Sequence, residues 1–226
     1  MGDSFASANH GAVILEVGGS NGQGEPGTGA PALAKPASVT YIDDGAVVAS
    51  YATLARHGAA IYMLDELVNV LGHSAPITYL NSCIASTDVD VWLSTHAATA
   101  IGHCTSAGVR PAIVILDNGG LDAQGQADAD SFPGDCTDLF EMFATKYGAG
   151  IARIIIGLTA VQDATYTHAD QVRAAQAALA ASANDCCMHF STEGAATFDG
   201  AHRTVAANEV LGRAIGRALF ASGLLP

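Results

Sequence analysis

Apolar and polar positions along this chain follow two rhythms. Short apolar runs at residues 12–17, 77–80, 112–116, 151–158 and 188–190 are bounded by glycine and polar residues, the pattern of strands buried on both faces. Between them, apolar residues recur at helical spacing over 62–71, 93–107, 137–147, 169–181 and 205–221. In the last segment Val210, Leu211, Ala214, Ile215, Ala218 and Leu219 share a face, with Arg213 and Arg217 outside it. The alternation predicts an α/β fold with a central, mostly parallel five-stranded sheet. A short strand at 39–42, paired as a hairpin with Val47 and Val48, follows a loop at 25–38 that holds three prolines. No repeat or linker interrupts the pattern, so residues 1–226 are expected to form one domain, with 1–10 as a loose terminus.

Composition narrows the chemistry. The chain has 226 residues, of which 50% are apolar and only 14% charged, so it can bury a full core. Its net charge is −13, with nine basic residues scattered along it. A nucleic acid or an anionic membrane needs a clustered basic face, so neither is expected as a partner. The acidic balance suits a neutral or weakly charged small-molecule or glycan substrate. Cys83, Cys104, Cys136, Cys186 and Cys187 fit no zinc spacing, and Cys83 and Cys104 read as buried apolar residues. A disulfide involving Cys136 stays open. The start, Met1-Gly2-Asp3-Ser4, does not read as a signal peptide, which leaves a cytoplasmic protein or a domain cut from a longer one. Oligomeric state is open.

In open parallel sheets, ligands sit beyond the carboxyl ends of the strands. Three loops leaving such ends carry reactive residues. The first, Gly18-Gly19-Ser20-Asn21-Gly22, presents a serine on a glycine-rich turn after an apolar strand, where its hydroxyl stays uncovered. The second holds Asn118-Gly119-Gly120-Leu121-Asp122. The third, Asp199-Gly200-Ala201-His202, sets a carboxylate three residues before an imidazole, just ahead of a helix. A serine needs a base, and the base needs an acid that fixes its tautomer; Ser20, His202 and Asp199 supply all three.

These blocks resemble the SGNH-type acetylesterases, and within them the sialate O-acetylesterase and carbohydrate esterase family six branch. Gly18-Gly19-Ser20-Asn21 is similar to that branch's Gly-Gln-Ser-Asn block, residues 117–123 to its Gln-Gly-Glu-Ser-Asp-Ala block, and Asp199-x-x-His202 to its terminal Asp-x-x-His. Residues 83–87, with Trp92 behind them, are similar to the block that carries a glycine. The resemblance implies a flavodoxin-like three-layer sandwich and metal-independent, cofactor-free hydrolysis of acetyl esters on sugars. It implies Ser20 as nucleophile, His202 as base and Asp199 as its acid. Ser20, Ser86, Asn118 and Gly119 would form the oxyanion hole, and Asn21 and Asp122 would touch substrate. Gly19, Ser86 (or Ala85) and Leu121 depart from the family's glutamine, glycine and polar residue.

Other readings compete. The same blocks would suit a decayed esterase domain that holds a glycan without cleaving it. Gly22-x-Gly24-x-x-Gly27, with Asp43 and Asp44 downstream, outlines a dinucleotide fingerprint, but Pro31 and Pro36 interrupt the helix it needs. Gly2-Asp3-Ser4 spells a hydrolase opening without the preceding strand. His10, His57, His73, His96, His103, His168 and His189 have no metal spacing. Tyr41, Tyr62, Trp92, Tyr147 and Tyr166 are either core or sugar-pocket residues.

Overall fold

The computed structural model describes residues 11–24, 32–160, 162–182 and 187–226. Ser4, His10, Cys186 and the stretch Glu25-Pro26-Gly27 of the dinucleotide-like run lie outside the described residues. Strands β1 (Ala12–Gly18), β2 (Val39–Asp43), β3 (Ala46–Val48), β4 (Ile77–Asn81), β5 (Ile113–Asp117), β6 (Ala152–Ile156) and β7 (Cys187–Phe190) form one sheet in the order β3-β2-β4-β1-β5-β6-β7. All neighbours are parallel except the β2–β3 hairpin.

The sheet therefore has seven strands where five were expected. The expected five are all present, and without the hairpin their order is β4-β1-β5-β6-β7, the flavodoxin-like one. The hairpin adds itself to the edge because β2 pairs in parallel with β4 from Val39↔Ile77 to Asp43↔Asn81. It also shields the side of β4 that would otherwise be an open edge.

All of β1 is buried, and its side chains divide by the period of two. Val13, Leu15 and Val17 join one core; Ala12 and Ile14 join the other. The first core lies under a helical stretch made of α3 (Val89–Val91), a π-helical turn (Trp92–His96) and α4 (Ala97–Ser106), together with α5 (Gln126–Tyr147) and α6 (Ala169–Ser182). The second lies under α2 (Ala60–Asp65), its π-helical extension Glu66–Val70, and α7 (Val205–Ser222). The result is three layers, helix on sheet on helix. Helices α2 and α7 pack backbone to backbone, since a Cβ on Gly212 would fall 2.2 Å from the Ala59 carbonyl oxygen. No helix among the described residues is long and apolar enough to cross a membrane.

Helix α5 starts at Gln126, eleven residues before the expected 137. Pro133 and Gly134 break its helical signal in the sequence, because proline has no N–H for the Ala129 carbonyl. Burial overrides that cost: Ala129, Phe132, Cys136, Leu139, Phe140 and Phe143 fall on one face, all under the sheet. Pro133→Ala restores the missing bond and is expected to stabilise the protein by about 1–2 kcal/mol. Urea unfolding measures it, and a destabilised variant would contradict this account.

Candidate active site

Strand β1 sits where the chain reverses direction across the sheet, between β4 on one side and β5 on the other. Its carboxyl end is thus the crevice of a doubly wound fold. The Gly18 carbonyl accepts bonds from Ile84 N–H (2.8 Å) and Trp92 Nε1–H (2.9 Å), and Gly19 N–H donates to the Asp117 carbonyl at 2.9 Å. Gly18 has φ +147°, and a Cβ there would lie 2.2 Å from the Asp117 carbonyl oxygen, so only glycine fits this turn. The short helix α1 (Ser20–Gln23) begins at the serine itself. Its first N–H groups have no acceptor within the helix.

Ser20 Oγ lies 2.8 Å from His202 Nε2, and His202 Nδ1 lies 2.5 Å from Asp199 Oδ2. The other Asp199 oxygen accepts from the backbone N–H of Ala201 at 3.0 Å and of His202 at 2.8 Å. Partial burial opposes the Asp199 charge, but the imidazole and the two N–H groups outweigh it and hold the carboxyl below its usual range. An ionised Asp199 places the imidazole proton on Nδ1 and leaves Nε2 to accept from the serine. The Phe198 ring stacks on His202, with centroids 5.7 Å apart and planes 20° from parallel.

The loop is held from beneath by Arg203, which is only 1% exposed. Its guanidinium forms a two-pronged ion pair with Asp117, at the end of β5, and its Nε donates to Asn208 Oδ1 at 2.9 Å. A further bond reaches Thr159 Oγ1 at 3.3 Å. Asn21, next to Ser20, accepts from Arg203 N–H at 2.9 Å and donates to the Ala201 carbonyl at 3.2 Å. Beside this pair lies Glu16 on β1, which takes a short bond from the Tyr79 hydroxyl. Burial, then repulsion from Asp117, drives the Glu16 carboxyl well above its usual range, with Arg203 opposing the shift.

A cleft of about 220 Å³ opens over Ser20 and His202, walled by Ser86, Asn118, Leu121, Leu158 and Tyr166 among others. Asn118 Oδ1 accepts from Gly119 N–H at 2.9 Å, which fixes the carboxamide. Its Nδ2 is buried and has no partner among the described residues. A buried donor without an acceptor costs about 1–3 kcal/mol, a debt that an oxyanion in the cleft would cancel. Gln176, fully buried in α6, steadies this loop by donating to the Asn118 carbonyl at 2.8 Å and accepting from Leu158 N–H at 2.8 Å.

No protein-family model matches the chain, and no curated protein matches it by sequence. Solved structures do. A protein from Arabidopsis thaliana superposes with a TM-score of 0.78 at 16% identity, over 93% of this chain and 98% of that one. A carbohydrate acetylesterase from Xanthomonas citri gives 0.71 at 14%, over 92% of this chain and 55% of that one, so the chain spans about half of that protein. A variant of an acetyl-xylooligosaccharide esterase from Geobacillus gives 0.63 at 17%, over 96% of each chain. The fold is that of the SGNH-type hydrolases.

On this SGNH-type frame the expected residues divide. Ser20, Asp199 and His202 converge, and Ser86 and Asn118 line the cleft, Ser86 in the left-handed region (φ +57°) where the resemblance implies a glycine. Gly119 does not face the cleft: its N–H is spent on Asn118, and a Cβ there would strike Val172. Asn21, expected on substrate, lines the cleft and also clamps the histidine loop. Asp122 is buried away from the cleft, accepts from Val89 N–H at 3.1 Å, and has one oxygen with no partner among the described residues. Of the candidate aromatics, Tyr41, Tyr62, Trp92 and Tyr147 are core, and Tyr166 faces the cleft. The other histidines form no metal group among the described residues, and Cys83, Cys104, Cys136 and Cys187 are free thiols. Arg203, Asp117 and Gln176 were missed. A charge directly after His202, in a chain with so few cations, was the available signal.

Two predictions follow from these contacts. Arg203→Leu strands a buried carboxylate and should cost about 3–5 kcal/mol, while Arg203→Leu with Asp117→Leu should recover most of it; equal losses in thermal unfolding would refute the pairing. Burial pushes the Asp122 carboxyl up to about 7, with repulsion from Asp88 and Asp128 adding to it. Because the folded state favours the protonated acid, its stabilising contribution is present below about pH 4 and lost as pH rises through about 7. The stability of Asp122→Asn relative to wild type should therefore increase across that window; a constant difference would contradict the assignment.

Proposed function

We propose that the protein is a serine esterase that removes acetyl groups from a carbohydrate through an acyl-enzyme intermediate. One observation carries the reading: the unbroken relay from Ser20 Oγ through His202 to Asp199, at 2.8 and 2.5 Å, open to the cleft. His202 Nε2 takes the hydroxyl proton as Ser20 attacks the ester carbonyl, and Asp199 stabilises the imidazolium that forms. The oxyanion is received by Ser20 N–H and Asn118 Nδ2, with the backbone at Ser86 on the same wall. His202 then protonates the departing alcohol, and water, activated by the same nitrogen, releases acetate. Leu121, Leu158 and Ala160 crowd a cleft of about 220 Å³, which favours a short acyl chain. The carbohydrate half rests on the resemblance of the motif blocks and on the likeness of the fold to a carbohydrate acetylesterase and an acetyl-xylooligosaccharide esterase.

Rates on 4-nitrophenyl acetate, butyrate and octanoate test the reading. Wild type should prefer acetate, Ser20→Ala should lose at least about 10³-fold in kcat, and Asn118→Ala about 10²-fold. Full activity in Ser20→Ala would reject the mechanism. A folded wild type that binds glycan and releases no acetate would favour a non-catalytic binding module.

A further inference from the structure

The electrostatics of the cleft mouth restrict the alcohol half of the substrate. None of the nine Lys and Arg residues lines the cleft. All nine lie among the described residues, so the undescribed stretches add no basic side chain. The two closest in contact are already engaged. Arg203 is sealed beneath the site with Asp117, and Arg173, in α6, holds Asp170 and the carbonyl of the cleft residue Ala160. Carboxylates, in contrast, stand at the mouth. Tyr166 and His202 line the cleft; Asp199 is bonded to the His202 imidazole, and Asp163 lies against the backbone of Tyr166. Asp163 is fixed there by accepting bonds from Thr165 and Tyr166 N–H.

Beside those charges stands an apolar ring. Phe198 is 56% exposed, although it stacks directly on the catalytic imidazole. Its position is set by the loop that carries the acid and the base: Phe198 N–H donates to the His202 carbonyl at 3.2 Å, and Thr197 pairs with Arg203. This exposed aromatic ring beside His202 is of a kind that suits the C–H face of a pyranose.

Resting on the esterase reading above, we propose that the leaving group is an uncharged sugar packed on Phe198, and that sugars bearing a carboxylate, sialate included, are rejected by charge. A carboxylate entering this mouth meets the exposed charges of Asp199 and Asp163 with no Lys or Arg on the cleft wall to receive it, a repulsion that salt screens.

The test compares kcat/KM on the acetyl esters of a neutral methyl pyranoside, of the matching uronate and of sialic acid, with ethyl acetate as an ester lacking a ring. The neutral sugar should exceed both acidic ones by about tenfold at low ionic strength, equivalent to about 1.4 kcal/mol. The gap should narrow in about 0.5 M salt. Gln124→Arg, at an exposed position on the cleft wall, should raise the acidic-to-neutral ratio. Phe198→Ala should raise KM for the pyranoside ester severalfold relative to ethyl acetate, and Phe198→Trp should restore it. Hydrolysis of ethyl acetate with equal or better rates on the uronate or sialate ester, or an unchanged ratio in Phe198→Ala, overturns this proposal alone. No hydrolysis of any ester by the folded protein overturns the esterase reading, and this proposal with it.

Discussion

The buried pair of Arg203 and Asp117 is the constraint on which the site depends. Each charge alone would cost several kcal/mol to bury, and their attraction repays that only in good geometry. The geometry here joins distant parts of the chain: Asp117 ends a central strand, and Arg203 follows His202 directly. Once the guanidinium is seated, His202 has little freedom, because its neighbour's backbone N–H is also held by Asn21. The pair therefore acts as a registration device, trading some stability for a fixed position of the base above the serine.

The sheet supplies the other half of that registration. Gly18 and Gly19 receive or donate bonds to Ile84, Trp92 and Asp117, so the loops after β1, β4 and β5 are tied into one rim. Glu16 lies just below, buried against the Tyr79 hydroxyl, and Ser20 sits over a floor whose Arg203–Asp117 pair is compensated within itself. In the proposed mechanism such a floor leaves the local field to Asp199 and to the donors around Asn118.

Much of this was legible in the sequence, for identifiable reasons. The apolar runs gave the five central strands because both faces of each are buried, and Ser20, Asp199 and His202 were legible because each sits in a short, chemically dense turn. The hairpin was seen as a hairpin, but its pairing with β4 has no local signature. Helix α5 was read too short since Pro133 silences the helical signal while tertiary burial restores the helix. Asp117 and Arg203 are 86 positions apart, and no local pattern links them. Gly119 and Asp122 lie off the cleft wall because spacing fixes where a residue lies on a loop, whereas hydrogen bonding decides which way it faces.

The most direct measurement is covalent labelling of the folded protein with an activated phosphonate ester, read by intact mass and peptide mapping. A single adduct on Ser20, formed quickly by wild type and far more slowly by His202→Ala, is the predicted result. No adduct, or one on another residue with Ser20 unmodified, would contradict the assignment of Ser20 as an activated nucleophile.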